Sequence, residues 1–227
     1  MPRLEWDKTG EHIYETGVKN GVLYVMSTEQ GSAGTYPEGV AWNGLTSVSE
    51  SPEGADANDF YADDIKYLSI RGTEDFNGTI NAYTYPEEFA QCNGEASIAN
   101  GVVIGQQFRK TFGLCYTTTM GNDVAGNDYG YKIHLVYGAT VSPSEREYQT
   151  INDSPEPIEF SWDFETVPVN VPGYRATAII TIDSTKADAT KLEALKDILY
   201  GTNGTGGAEG TVARLPLPDE IINDIFG

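Results

Sequence analysis

Hydrophobic and polar residues alternate with a period of two along several short stretches of this chain. The clearest is Ile158-Glu159-Phe160-Ser161-Trp162-Asp163-Phe164-Glu165, where one face can be buried and the other left wet. Thr79-Ile80-Asn81-Ala82-Tyr83-Thr84-Tyr85 is rich in β-branched and aromatic residues, and Val22-Leu23-Tyr24-Val25-Met26 is a short apolar run. Lys132-Ile133-His134-Leu135-Val136-Tyr137 and Ala176-Thr177-Ala178-Ile179-Ile180-Thr181-Ile182 complete the set. Asn-Gly pairs recur at Asn20-Gly21, Asn43-Gly44, Asn77-Gly78, Asn93-Gly94, Asn100-Gly101 and Asn203-Gly204. That pair suits the left-handed backbone angles of tight hairpin turns. The pattern predicts a mainly β protein, with antiparallel strands in a sandwich or barrel.

The period changes to that of a helix only near the end of the chain. Thr190-Lys191-Leu192-Glu193 has the form of a capping box, Leu192, Leu195, Ile198 and Leu199 follow on one stripe, and Gly201 supplies the stop. One α-helix is therefore predicted at about 188–200, packed on a sheet, and a shorter helical stretch at 218–226. Three segments read as loops: 47–64 with Pro52, Gly54 and a run of acids, 120–130 with Gly, Asn and Asp, and 202–210 with almost pure Gly, Thr and Asn. None resembles a linker between different compositions, and no internal repeat is found. The whole chain, 1–227, is read as a single domain with an extended loop at about 47–64.

Charge narrows the function classes. Lys and Arg number 14 against 34 Asp and Glu, a net charge of −20, so a nucleic-acid binder that works through a general basic surface is excluded. No apolar run approaches the roughly 20 residues of a membrane span. The start, Met1-Pro2-Arg3-Leu4-Glu5-Trp6-Asp7, lacks the apolar core of a signal peptide, and synthesis in the cytosol is expected. Catalytic motifs are missing: there is no His-Glu-x-x-His, Cys-x-x-Cys, Gly-x-Ser-x-Gly or phosphate-binding glycine loop with its Lys. His12 lies in a polar stretch, while His134 sits in a strand pattern and reads as a satisfied sheet residue. Residues 122–128 carry oxygen ligands but depart from calcium-loop spacing, which favours a plain turn. Cys92 and Cys115 read as buried free thiols rather than a disulfide. The expectation is a non-enzyme that needs no cofactor and holds no metal.

Several blocks carry a family likeness. They are Tyr61-Ala62-Asp63-Asp64-Ile65-Lys66-Tyr67-Leu68, Ala82-Tyr83-Thr84-Tyr85-Pro86-Glu87-Glu88-Phe89, Gly105-Gln106-Gln107-Phe108-Arg109-Lys110-Thr111-Phe112-Gly113, Tyr129-Gly130-Tyr131-Lys132-Ile133-His134-Leu135-Val136-Tyr137-Gly138 and Ile151-Asn152-Asp153-Ser154-Pro155-Glu156. Through them the chain, from Trp6 to Pro218, resembles the major tail proteins, or tail tube proteins, of long-tailed bacteriophages of Gram-positive bacteria. The resemblance implies a β-sandwich with a helix on one side, built into stacked, hexameric rings around a tape measure protein. It also implies contacts with tail terminator and tip proteins, and DNA that later transits the lumen without tight binding. Carboxylates lining such a lumen would let phosphate slide, although the same charge also keeps a free subunit soluble.

The resemblance further implies that a long loop between early strands reaches a neighbouring subunit. Residues 47–64 fit that role, with Glu50, Glu53, Asp56 and Asp59 as acids that need basic partners and Phe60 and Tyr61 as aromatic anchors. Arg109 and Lys110 of an adjacent subunit are the expected partners. Two other readings stay open: a different virion component, such as a capsid decoration or tail-terminator protein, and a carbohydrate-binding module of a phage tip.

Overall fold

In the computed structural model, described for residues 3–28, 34–54, 57–151, 153, 156–204 and 209–227, the chain is a β-sandwich with a helix packed on one side. The strands are β1 (Tyr14–Val25), β2 (Gly39–Trp42), β3 (Leu45–Gly54), β4 (Asn58–Ala62), β5 (Ile65–Ile70), β6 (Glu74–Ala82), β7 (Ala96–Ala99), β8 (Val102–Ile104), β9 (Phe112–Asn122), β10 (Gly126–Val141), β11 (Phe160–Thr166) and β12 (Ile179–Asp183). The main sheet runs β2-β1-β9-β10-β11-β6-β3, with β12 on β10; β4-β5 and β7-β8 are separate two-stranded ribbons. All the pairings are antiparallel.

Strand β10 turns this one sheet into two layers. Its edge pairs with β12 through 132–136, then with β11 through 139–141. The switch falls at Gly138, whose φ is 64° and whose Cβ, if it had one, would lie 2.2 Å from the Val167 carbonyl oxygen. Only glycine fits there. Beyond it, β11, β6 and β3 fold over the face of β1, β9 and β10. Leu23, Leu114 and Val136 from one layer meet Ile80, Trp162 and Phe164 from the other. Trp42, Phe89 and Trp162 meet at the centre, with centroids 4.5–5.8 Å apart.

The alternate residues of the same central strands form a second core on the other face. Val22, Tyr24, Cys115, Ile133, Leu135 and Tyr137 lie under α1 (Ala189–Tyr200) and the C-terminal segment. Strands buried on both faces cannot alternate apolar with polar, which explains the near-continuous apolar runs at 22–26 and 132–137. Helix α1 sends Leu192, Leu195 and Leu199 into this core, each contributing about 1.5–3 kcal/mol by burial. Tyr24 donates to the Leu199 carbonyl at 2.6 Å and Tyr137 to that of Pro216 at 2.9 Å, so both phenols are satisfied. The chain ends in α2 (Pro218–Glu220) and a π-turn, Ile221–Ile225.

Four expectations need correction. The helix is capped by Asp188, whose carboxylate accepts from the amides of Thr190 and Lys191 at 2.9 and 3.0 Å, so Thr190 lies inside the first turn. The supposed loop 47–64 is paired: 47–54 belongs to β3 along β6, and 58–62 forms β4. Pro52 is tolerated because β3 is an edge strand. The supposed loop 120–130 shrinks to the turn between β9 and β10. Finally, not every Asn-Gly makes a hairpin turn. Asn20-Gly21 lies at a register shift in β1, and Gly78 sits mid-strand beneath the Phe164 ring. The 202–210 segment lies partly outside the described residues.

Candidate functional site

Among the described residues the β4-β5 ribbon pairs with no strand of the main sheet. Asp63 and Asp64 turn the chain with φ of 52° and 60°, left-handed angles that Asp tolerates better than most residues. Phe60 pairs across from Leu68, and Ile70 lies on the same side as Leu68 by strand alternation. All three are exposed, as are Tyr61, Ile65 and Tyr67, and Tyr67 has 69% of its surface free. Six large apolar side chains in solvent on one ribbon make a patch of the kind that marks an interaction surface. The ribbon also carries its own ion pair, Lys66 to Asp59 at 2.7 Å, and hydrogen bonds from Lys66 and Ser69 hold the Asp59 carboxyl below its usual range.

The expected interface residues separate into two places. Phe60, Tyr61 and Asp59 are on the ribbon, and Glu53 is exposed near the end of β3. Asp56 lies outside the described residues. Glu50 points the other way, into the mouth of the sandwich. One of its carboxylate oxygens accepts from the Tyr116 phenol and lies 3.3 Å from His134 Nδ1. The His134 ring stacks flat on Tyr116, with centroids 4.7 Å apart, and Thr118 is 3.0 Å from its Nε2. The His134 bond is the main cause that holds the Glu50 carboxyl below its usual range, against burial that pushes it up. Burial and the carboxylate raise the Tyr116 phenol. His134 is thus a satisfied sheet residue with both ring nitrogens engaged. The cluster ties edge strand β3 to β9 and β10.

Arg109 is also partly committed at home. It is half-buried and donates to the Asn93 carbonyl at 3.2 Å, while its Nε is buried without a partner. Lys110 is exposed. Both follow the β7-β8 ribbon, whose Ile98, Val102, Val103 and Ile104 face solvent, and Phe108 between them is fully exposed. This second apolar surface was not anticipated from the sequence. Its signal was the Asn100-Gly101 turn followed by the β-branched run Val102-Val103-Ile104, which pairs with 96–99 as a hairpin with Gly101 at φ 76°.

The other candidates are occupied by structural work. Asn122 accepts from the amides of Val124 and Ala125, and both Asp123 oxygens accept from the amide of Gly10. That amide is the main cause of the lowered Asp123 carboxyl. These oxygens stabilise the turn and the N-terminal segment. Cys92 and Cys115 are free, buried thiols in the two different cores, each pushed up to about 12 by burial. Such thiols are protonated and inert. Trp42 and Trp162 are buried and Trp6 is exposed, so the tryptophans form no shared platform. Among the described residues no helix is long and apolar enough to cross a membrane. No protein-family model matches this chain, and no curated protein matches it in sequence.

Proposed function

We propose that the chain is a structural, non-enzymatic virion subunit that polymerises as stacked, hexameric rings to form a phage tail tube. The observation that carries this reading is the β4-β5 ribbon. A lone two-stranded hairpin is marginally stable in water, and this one turns its apolar residues outward. A partner that covers it would remove that cost. The sandwich with its packed helix is the architecture the tail-tube resemblance implies. In that assembly, tape measure and tail terminator proteins would be further partners. DNA would pass through a lumen that its acidic wall does not let it grip, and the subunit would reside in the virion tail.

Light scattering and negative-stain imaging of concentrated protein test this. Rings or tubes are expected; a chain that stays monomeric at every concentration and salt overturns the reading. Gel-shift assays with duplex DNA at physiological salt are expected to show no complex, because too few basic side chains are available to release counterions.

A further inference from the structure

The two ribbons differ in sign as well as in place. Between Glu95 and Asp123 the sequence contains no acid, while Arg109 and Lys110 give this stretch a charge of +2 in a chain of −20. The β4-β5 ribbon has three acids (Asp59, Asp63 and Asp64) against Lys66. Asp59 is paired with Lys66, and among the described residues Asp63 and Asp64 at the tip make no ion pair. Both surfaces are apolar along their length, and within the subunit they belong to separate sheets.

We infer that the β4-β5 ribbon of one copy docks on the β7-β8 ribbon and Phe108 of the next, with Asp63 and Asp64 meeting Lys110 and Arg109. This rests on the self-assembly proposed above and names its surfaces. Phe60, Leu68 and Ile70 supply the apolar contact on one side, and Val102, Ile104 and Phe108 on the other. The charged ends fix the orientation, since reversing the ribbon would move the acids away from the bases. Because the two surfaces are different, the contact is head-to-tail. It propagates instead of stopping at a two-fold dimer, and it closes into a ring or continues as a filament according to the angle between copies.

Charge reversal in complementary pairs tests this. One variant carries Asp63→Lys with Asp64→Lys, and the other carries Arg109→Glu with Lys110→Glu. Because Arg109 also ties down Asn93, Lys110→Glu alone replaces the second variant if the double change does not fold. Each variant by itself meets like charge at every contact, and the concentration it needs to assemble is expected to rise at least about tenfold. Mixed one to one, the two can alternate with every contact repaired, and assembly is expected to return. If each variant assembles alone as readily as the wild type, or if the mixture does not recover, the ribbon pairing is overturned while self-assembly stands. If the wild-type chain never associates, self-assembly itself fails. A monomer that instead binds vesicles of anionic phospholipid through Lys110 overturns the pairing in favour of a membrane surface.

Discussion

The central strands and the β4-β5 ribbon have the same secondary structure and opposite surroundings. At Leu135 the sheet is covered by α1 on one side, and at its neighbour Val136 by β6 and β11 on the other. At Phe60 and Leu68 the side chains are exposed, and among the described residues no second layer covers them. Each ribbon strand is paired along one edge and β10 along both, but a backbone hydrogen bond adds little net stability, so pairing alone does not explain where the stability lies. Packing does. The central sheet holds the fold without help from outside, whereas the ribbon has apolar surface to offer a partner.

That contrast can be broken by mutation. Leu135→Ala removes a fully buried side chain and is expected to cost about 2–5 kcal/mol in urea unfolding; a loss near zero would mean that the helix does not seal this face. Asp188→Ala frees two amides at the start of α1 and should cost about 1 kcal/mol, since the helix is also held by its leucines. The Glu50 tie gives a smaller effect that depends on pH. Its carboxyl is lowered in the fold, so the stability it adds is present above the ordinary carboxylate range and is lost as pH falls through its lowered value. The melting temperature of the wild type should exceed that of Glu50→Gln at about pH 6, and the gap should narrow as pH falls below the ordinary carboxylate range. A constant gap across that range would assign the effect to shape instead of charge. The smallest change in stability is expected for Leu68→Ala, the same deletion as at Leu135 but on the ribbon: within about 0.5 kcal/mol of wild type. Assembly should nevertheless weaken, as light scattering would read.

The parts of the fold that the sequence made legible are those where one residue's environment repeats at a fixed period. Residues 22–25, 132–137 and 160–165 of the runs fall in β1, β10 and β11, and the leucine stripe of α1 points into the core. Edge positions are not legible in this way. In β3, Pro52, Gly54 and the acids look like a loop because an edge strand that is paired on one side tolerates all of them. In the ribbon, Ile65, Tyr67, Leu68 and Ile70 form a strand whose partner is only a turn away, but whose exposure no periodicity announces. The Glu50 cluster was invisible for another reason. Its partner Tyr116 lies 66 positions away, and a pairing that distant follows from topology. Charge alone singles out Arg109 and Lys110; the apolar ribbon before them is the missing half.

The antiparallel register of β1 with β9, Tyr14 opposite Gly121, has a consequence for biosynthesis. The first strand leaves the ribosome long before its partner does, and the helix that covers their shared face ends at Tyr200. At about 5–20 residues per second, the interval between the end of β9 and the end of α1 is roughly 4–16 s. During that time the nascent chain holds a sheet with one oily side uncovered. Chaperone occupancy on ribosome-bound chains should therefore peak between those two lengths and fall once the helix emerges.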